Sequence, residues 1–202
     1  LKTIILASAS PRRKKLLQQL NLPFEVHPSP VDENYDPALL PDEIVQQLAL
    51  RKAQDVASRQ ADALIIGADT IVVFKDSILE KPVDADEARR MLQDLSGHTH
   101  QVYTGVALCK TDHKNNIIDT TTFFEITNVM FGDLNLRDID RYVAGGSPMD
   151  KAGAYGIQDD FGAIFVKRIE GDYYNVVGFP LHRFYTVMNT FAFEYLSLIN
   201  VE

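Results

Sequence analysis

The stretch Ala63-Leu64-Ile65-Ile66-Gly67-Ala68-Asp69-Thr70-Ile71-Val72-Val73-Phe74 is apolar and β-branched almost throughout. It reads as a buried strand interrupted in the middle by Gly-Ala-Asp-Thr, and a strand of this kind needs cover from other elements. Asp69 stands between two apolar runs. A carboxylate there loses its hydration unless it is paired, hydrogen-bonded or bound to a metal, which makes Asp69 a stronger functional candidate than any surface acid.

Thr3 to Ala7 reads as a second buried strand and leads into Ser8-Ala9-Ser10-Pro11-Arg12-Arg13-Lys14-Lys15. Pro11 suits the first turn of a helix whose apolar face is Leu16, Leu17 and Leu20. Ser8 and Ser10 then lie in the turn between strand and helix, their hydroxyls and the free N–H groups at the positive end of the helix dipole, where an anion fits. The alternative is that the serines cap the helix and the cations form a solvated face. The first 24 residues hold five cations and no acid, +5 in a chain of net charge −8, so the remainder carries −13. Such local basicity argues against broad nucleic-acid binding and permits a focused site for a small polyanion.

At 202 residues, 46% hydrophobic and 24% charged, the chain has the makings of one large domain or two small lobes with a sizeable core. The single cysteine, Cys109, excludes an intrachain disulfide and reads as a buried strand residue, so the cytoplasm is the expected compartment. The N-terminal apolar run is too short for a signal h-region, its cations follow instead of precede it, and no stretch approaches membrane-spanning length.

Phe24–His27 reads as a short strand, followed by the loop Pro28-Ser29-Pro30-Val31-Asp32-Glu33, whose acids are either hard oxygen ligands of the kind Mg²⁺ prefers or solubilising groups. From Pro41 to about Gln60, Ile44, Val45, Leu48, Ala49, Ala53, Val56 and Ala57 recur at helical spacing; Lys52 reads as lying off that stripe, a solvent-facing charge. Lys75-Asp76-Ser77 predicts a hairpin turn returning the chain through Ile78-Leu79-Glu80 to Lys81-Pro82, back toward Asp69. Asp84 caps a helix ending at Leu95, before Gly97. Gln101–Lys110 and Thr120–Phe131 predict a long antiparallel hairpin, and His98 with His100 lacks a third zinc ligand. Leu136–Val143 is a short amphipathic helix. The glycine-punctuated segment Asp150–Gln158 either wraps a base or sugar, Gln158 offering donor and acceptor, or is a connector. Ala163–Val166 and Tyr173–Val177 read as strands and Pro180–Leu198 as a closing helix. The whole predicts a mixed α/β (α+β) chain with a twisted mixed sheet. Walker P-loop and dinucleotide fingerprints are missing, which removes kinase and dehydrogenase readings.

Ser8-Ala9-Ser10-Pro11-Arg12-Arg13, Gly67-Ala68-Asp69-Thr70, Lys81-Pro82, Leu95-Ser96-Gly97 with His100 and Thr104-Gly105-Val106, Asp150 through Gln158, and Gly171-Asp172-Tyr173-Tyr174-Asn175-Val176-Val177-Gly178 together resemble the successive signatures of the Maf family, in family order over nearly the whole chain. The resemblance implies one domain over residues 1–202, with room for two lobes, in an inosine-triphosphatase-like fold: a twisted mixed sheet flanked by helices, with a central nucleotide cleft. It implies a nucleoside triphosphate pyrophosphatase, and Ala154-Tyr155-Gly156-Ile157-Gln158 resembles the branch acting on dTTP and UTP. The implied reaction is attack of water at the α-phosphorus, releasing monophosphate and pyrophosphate, with Mg²⁺ or Mn²⁺. Carried over residue by residue, Asp69 is the proton acceptor and, with Glu33, a metal ligand. Ser8, Ser10, Arg12, Arg13, Lys52 and Lys81 surround the triphosphate, while Arg12, Thr70 and Gln158 match positions tied to base choice. A homodimer is expected by analogy only. The chain departs from the family pattern at Glu80, where glycine is frequent, and at Asp159-Asp160-Phe161-Gly162, where a glycine-rich turn is frequent. The competing readings are a non-catalytic nucleotide-sensing module in the control of cell division, and a pyrophosphatase preferring methylated guanine nucleotides. Retention of Asp69, Lys81 and Glu33 together favours turnover, because a pure binder needs no base.

Overall fold

The structure is a computed structural model that describes residues 2–158 and 160–198. Its elements in chain order are β1 (Thr3–Leu6), α1 (Pro11–Gln18), β2 (Glu25–Val26), α2 (Pro41–Ala57), β3 (Ala63–Phe74), β4 (Ser77–Leu79), α3 (Ala85–Leu95), β5 (Thr99–Thr111), β6 (Ile117–Phe131), α4 (Leu136–Ala144), β7 (Val166–Glu170), α5 (Tyr173–Val177), α6 (Leu181–Phe191) and α7 (Phe193–Leu196). The sheet runs β2-β1-β3-β5-β6-β7, with β4 added to β3. It is mixed, as expected. β1 lies parallel to both β2 and β3, with Ile4 opposite Leu64 and Leu6 opposite Ile66, whereas β4 and β7 pair antiparallel with β3 and β6. No helix among the described residues is long and apolar enough to cross a membrane.

The chain divides into two compact units, one comprising the residues up to Asp69, Thr104–Glu125 and everything from Gly178 onward, the other Thr70–Tyr103 and Ile126–Val177. In the first unit α2 is the organising helix. Pro41 occupies its first turn and the Glu43 carboxylate accepts from the Leu40 N–H at 2.9 Å, a side chain satisfying one of the free N–H groups at the helix start. Its apolar stripe packs Ala49, Ala53, Val56 and Ala57 against Ile5, Ala63, Ile65, Ala107 and Cys109. The fit is backbone to backbone. A Cβ on Gly67 of β3 would stand 2.1 Å from the Ala49 carbonyl oxygen, and one on Gly105 of β5 would stand 2.4 Å from that of Val45, so both glycines are needed for α2 to lie this close. Cys109 is fully buried there, as its sequence context predicted, with the Thr120 hydroxyl donating to Sγ at 3.7 Å; burial pushes the thiol pKa up, and this hydrogen bond opposes the rise.

In the second unit, α3 and α4 cover β3, β5 and β6 through Val72, Leu92, Leu95, Val102, Phe131, Ile139, Tyr142 and Phe165. The Asp84 cap is as predicted, its carboxylate accepting from the Glu87 N–H at 2.8 Å. Lys75 and Asp76 both have positive φ, the geometry of a two-residue hairpin turn between β3 and β4.

Three expectations fail. Tyr173–Val177 is a helix, not a strand: Asp172 accepts from the Tyr174 N–H at 2.7 Å and so starts a helical turn, and Asn175 is drawn into the core, donating to the Val102 carbonyl and the Thr127 hydroxyl, each at 3.0 Å. Local capping and the two buried hydrogen bonds of Asn175 outweigh the β-propensity of Tyr and Val. Ala163–Phe165 belongs to a 3₁₀ segment, Asp160–Phe165, and the strand begins only at Val166. Finally, the closing helix breaks at Ala192, whose φ and ψ are not helical, into α6 and α7.

Candidate functional site

The turn after β1 carries the first group of site residues. The Ala7 N–H donates to the Ile66 carbonyl at 2.8 Å, which extends the alignment of β1 with β3 up to the residue before Ser8. Ser8 is buried, and its hydroxyl oxygen accepts from the Ser10 N–H at 3.2 Å and from Arg13 Nη1 at 3.3 Å. Ser10 is the N-cap of α1, accepting from the Arg13 N–H at 3.4 Å, so the capping alternative holds for this serine. The cation run divides. Lys14 and Lys15 are exposed, the solvated face, whereas Arg12 and Arg13 are half-buried. Arg13 Nε donates to the Gly178 carbonyl at 3.0 Å, fixing the fork over the turn. Burial draws the Arg13 guanidinium below its usual range and Arg12 adds to this, while the fields of Asp69 and Glu33 oppose it.

Asp69 and Glu33 meet on Lys52. Nζ of Lys52 donates to Asp69 Oδ1 at 2.5 Å and to Glu33 Oε1 at 2.6 Å. The Lys52 and Asp69 side chains are only 9% and 10% exposed, Glu33 55%. This corrects the reading of Lys52 as solvent-facing. Lys52 lies three residues after Ala49 and four before Val56, so it shares their face of α2 and is buried with them. Gly67 explains how the pair closes: it lies two residues before Asp69, on the same face of β3, and lets the helix backbone come near enough for an ammonium to reach a short carboxylate.

The two carboxylates converge on one point occupied by a cationic group, and their oxygens are hard donors. No cluster of three or more His, Cys, Asp or Glu suited to a metal occurs among the described residues. Two hard carboxylate donors fit an ion such as Mg²⁺, which takes one or two carboxylates and completes its shell with phosphate oxygens and water.

Thr70, Lys81 and Gln158 belong to the second unit. Thr70 follows Asp69 on β3 and is half-buried; Lys81 is exposed two residues beyond β4, next to buried Pro82. The Glu80 carbonyl accepts from the Gly153 N–H at 3.1 Å, tying the approach to Lys81 to the glycine segment. Gln158 is exposed at the end of that segment; Asp159 lies outside the described residues. Behind Gln158 the chain is anchored twice, by the Tyr155 hydroxyl paired with His100 Nε2 at 2.8 Å and by the Gly156 N–H donating to the Tyr142 hydroxyl at 3.2 Å. His100 is thus a core histidine, and burial pushes its pKa down to about 4. His98 is exposed and packs edge-on against Phe74, in surroundings unlike those of buried His100.

Comparison with known proteins bears on the chain as a whole. The family model described as Maf-like protein matches residues 3–191. The chain belongs to the Maf family. This Maf chain is 52% identical over 194 residues to the dTTP/UTP pyrophosphatase of Halalkalibacterium halodurans, a match covering 96% of this chain and 98% of that protein. It is 52% identical over 183 residues to the dTTP/UTP pyrophosphatase of Bacillus cytotoxicus, covering 91% and 92% of the two, and 49% identical over 194 residues to that of Bacillus cereus strain G9842, covering 96% and 98%. The structure of a HAM1 protein from Coxiella burnetii matches 94% of the Maf chain and 99% of its own, with a TM-score of 0.52 at 15% identity. At that identity the likeness shows the fold alone, and it is the inosine-triphosphatase-like fold expected from the sequence.

Proposed function

We propose that this protein hydrolyses dTTP and UTP to the monophosphate and pyrophosphate by attack of water at the α-phosphorus. One observation carries the reading: Asp69, a carboxylate 10% exposed, is ion-paired to Lys52 and lies within the electrostatic reach of Arg13 on the serine turn. A sensor needs cations around a polyphosphate; it has no use for a buried acid aligned beside them. The shared name of relatives about half identical to this chain supports the choice of substrates.

In this mechanism Asp69 orients the attacking water and takes its proton, while Lys52 fixes the carboxylate rotamer. The Ser8 hydroxyl, the N-terminus of α1, Arg12, Arg13 and Lys81 take up the charge of the triphosphate, which is most of what phosphoryl transfer asks of a protein. Ser10 shapes the turn and caps α1. Arg12, Thr70 and Gln158 read the base. Glu33 and Asp69 are the residues that would hold Mg²⁺ or Mn²⁺, which when bound supplies neutralisation of the phosphates. A reducing, cytoplasmic setting suits the lone buried thiol of Cys109.

The test is pyrophosphate release with Mg²⁺ from dTTP, UTP, CTP, GTP and 7-methyl-GTP, by wild type and by Asp69→Asn. Release from dTTP and UTP that disappears in Asp69→Asn is expected. Nucleotide binding without product would replace this reading with the sensor, and preferential turnover of 7-methyl-GTP would replace it with the methylated-guanine branch.

A further inference from the structure

Arg51 precedes Lys52 on α2 and has no part in the chemistry above. Its guanidinium donates from Nη1 to the Asp32 carbonyl at 3.4 Å and from Nη2 to the Asn34 carbonyl at 2.5 Å, the carbonyls on either side of Glu33. Consecutive helix residues therefore hold one short piece of loop: Arg51 takes its backbone, Lys52 its central side chain. That loop, between β2 and α2, has no regular structure of its own. Its own side-chain-to-backbone bonds are local, Val31 N–H to Ser29 Oγ at 3.4 Å, Asn34 N–H to Asp32 Oδ1 at 2.8 Å and Ala38 N–H to Asp36 Oδ1 at 2.9 Å, while at its start the Ser29 side chain hydrogen-bonds Asp55 of α2. Packing does not press it down everywhere: Asn34, Tyr35 and Asp36 face α2 across an open cavity of about 390 Å³. Arg51 Nε is buried and unpartnered while the two Nη groups reach the loop, so the guanidinium keeps these contacts at the expense of one N–H.

We propose that Arg51 is a positioning residue that fixes the backbone on both sides of Glu33, so that the carboxylate meets Lys52 and stands ready for a divalent cation. The proposal rests on the reading of Glu33 as a cation-binding acid. A planar fork spans two carbonyls at once; a lysine ammonium, a single point of charge on a flexible stem, does not.

The test uses the full chain carrying Arg51→Met or Arg51→Lys, each also combined with Glu33→Gln, and is done without nucleotide. Amide hydrogen exchange reads the loop at residues 29–36, and the electron paramagnetic resonance signal of free Mn²⁺ reads cation affinity. Faster loop exchange is expected in both single variants, with α2 still protected, and a Mn²⁺ affinity about tenfold weaker, roughly the loss of one net hydrogen bond. In the Glu33→Gln background the same substitutions should change that affinity less than about twofold, because the carboxylate they position is gone. Unchanged loop exchange, unchanged Mn²⁺ affinity, no Mn²⁺ binding by wild type, or an undiminished effect with Glu33→Gln would each overturn the proposal. If Arg51→Met loses protection across α2, the charge-conserving Arg51→Lys decides. None of these readouts needs turnover, so a wild type inactive on every nucleotide would refute the proposed activity and leave the role of Arg51 standing or falling on its own results.

Discussion

Replacing Gly67 by alanine tests how the site is assembled. The added Cβ would meet the Ala49 carbonyl oxygen at 2.1 Å and the Ala53 nitrogen at 2.9 Å, where ordinary contact begins at 3.4 Å, so about 1.3 Å of room has to be found. The obstacle is helix backbone, which no rotamer change relieves, and α2 must back away from β3. Overpacking of this kind costs about 3 kcal/mol. For a chain of this size that lowers Tm by about 6–12 °C. The same displacement stretches the 2.5 Å contact between Lys52 and Asp69 to the edge of hydrogen bonding, and a misplacement of about 1 Å costs on the order of a hundredfold in turnover. Circular dichroism melting and pyrophosphate release from dTTP measure the two effects. Gly132→Ala is the control, since a Cβ there meets nothing within 4 Å. Cutting Ala53 to glycine in the Gly67→Ala protein removes a side-chain contact but leaves the carbonyl, so rescue is not expected. A Gly67→Ala protein that melts within about 1 °C of wild type and turns over normally would refute the claim that this glycine sets the spacing of helix and strand.

Lys52→Met removes the cation shared by Asp69 and Glu33 and is expected to destabilise by about 3 kcal/mol in urea titrations, the lower end for a broken buried pair because half-exposed Glu33 regains water. His100 gives a pH signature: its folded pKa of about 4 lies below its unfolded value near 6.5, so its contribution is complete above pH 6.5 and is lost as pH falls through 4. The loss amounts to about 3 kcal/mol, and urea midpoints measured across that range should lack this component in His100→Gln. Asp172→Ala removes the acceptor for the Tyr174 N–H and is expected to cost about 1 kcal/mol in the same titration.

Most of the fold was legible because its strongest signals are local. The apolar run Ala63–Phe74 became β3 without a break at Asp69, Asp84 caps the start of α3, and Gly97 follows its end with a positive φ. What stayed hidden depends on partners distant in sequence. Lys52 was misjudged because its charge was weighed above its place in the helical repeat; nothing local discloses that a carboxylate 17 residues on and another 19 residues back neutralise it. The repeat itself, Val45, Ala49, Lys52 and Val56 at spacings of four, three and four, was the signal that could have found it. Tyr173–Val177 was misread for a related reason, since Asn175 finds its acceptors in Val102 and Thr127. Asp69 stands out from the sequence because an acid inside an apolar run is conspicuous without knowledge of its partners.

The thiol of Cys109 lies at the heart of this packing, closed off by α2 and held by Thr120. Because it is the chain's only sulfhydryl, a maleimide or similar alkylating reagent has one target, and that target is hidden. Each labelling event therefore requires β5 to part from its cover, which gives the native sequence a built-in clock for opening, with no engineered probe.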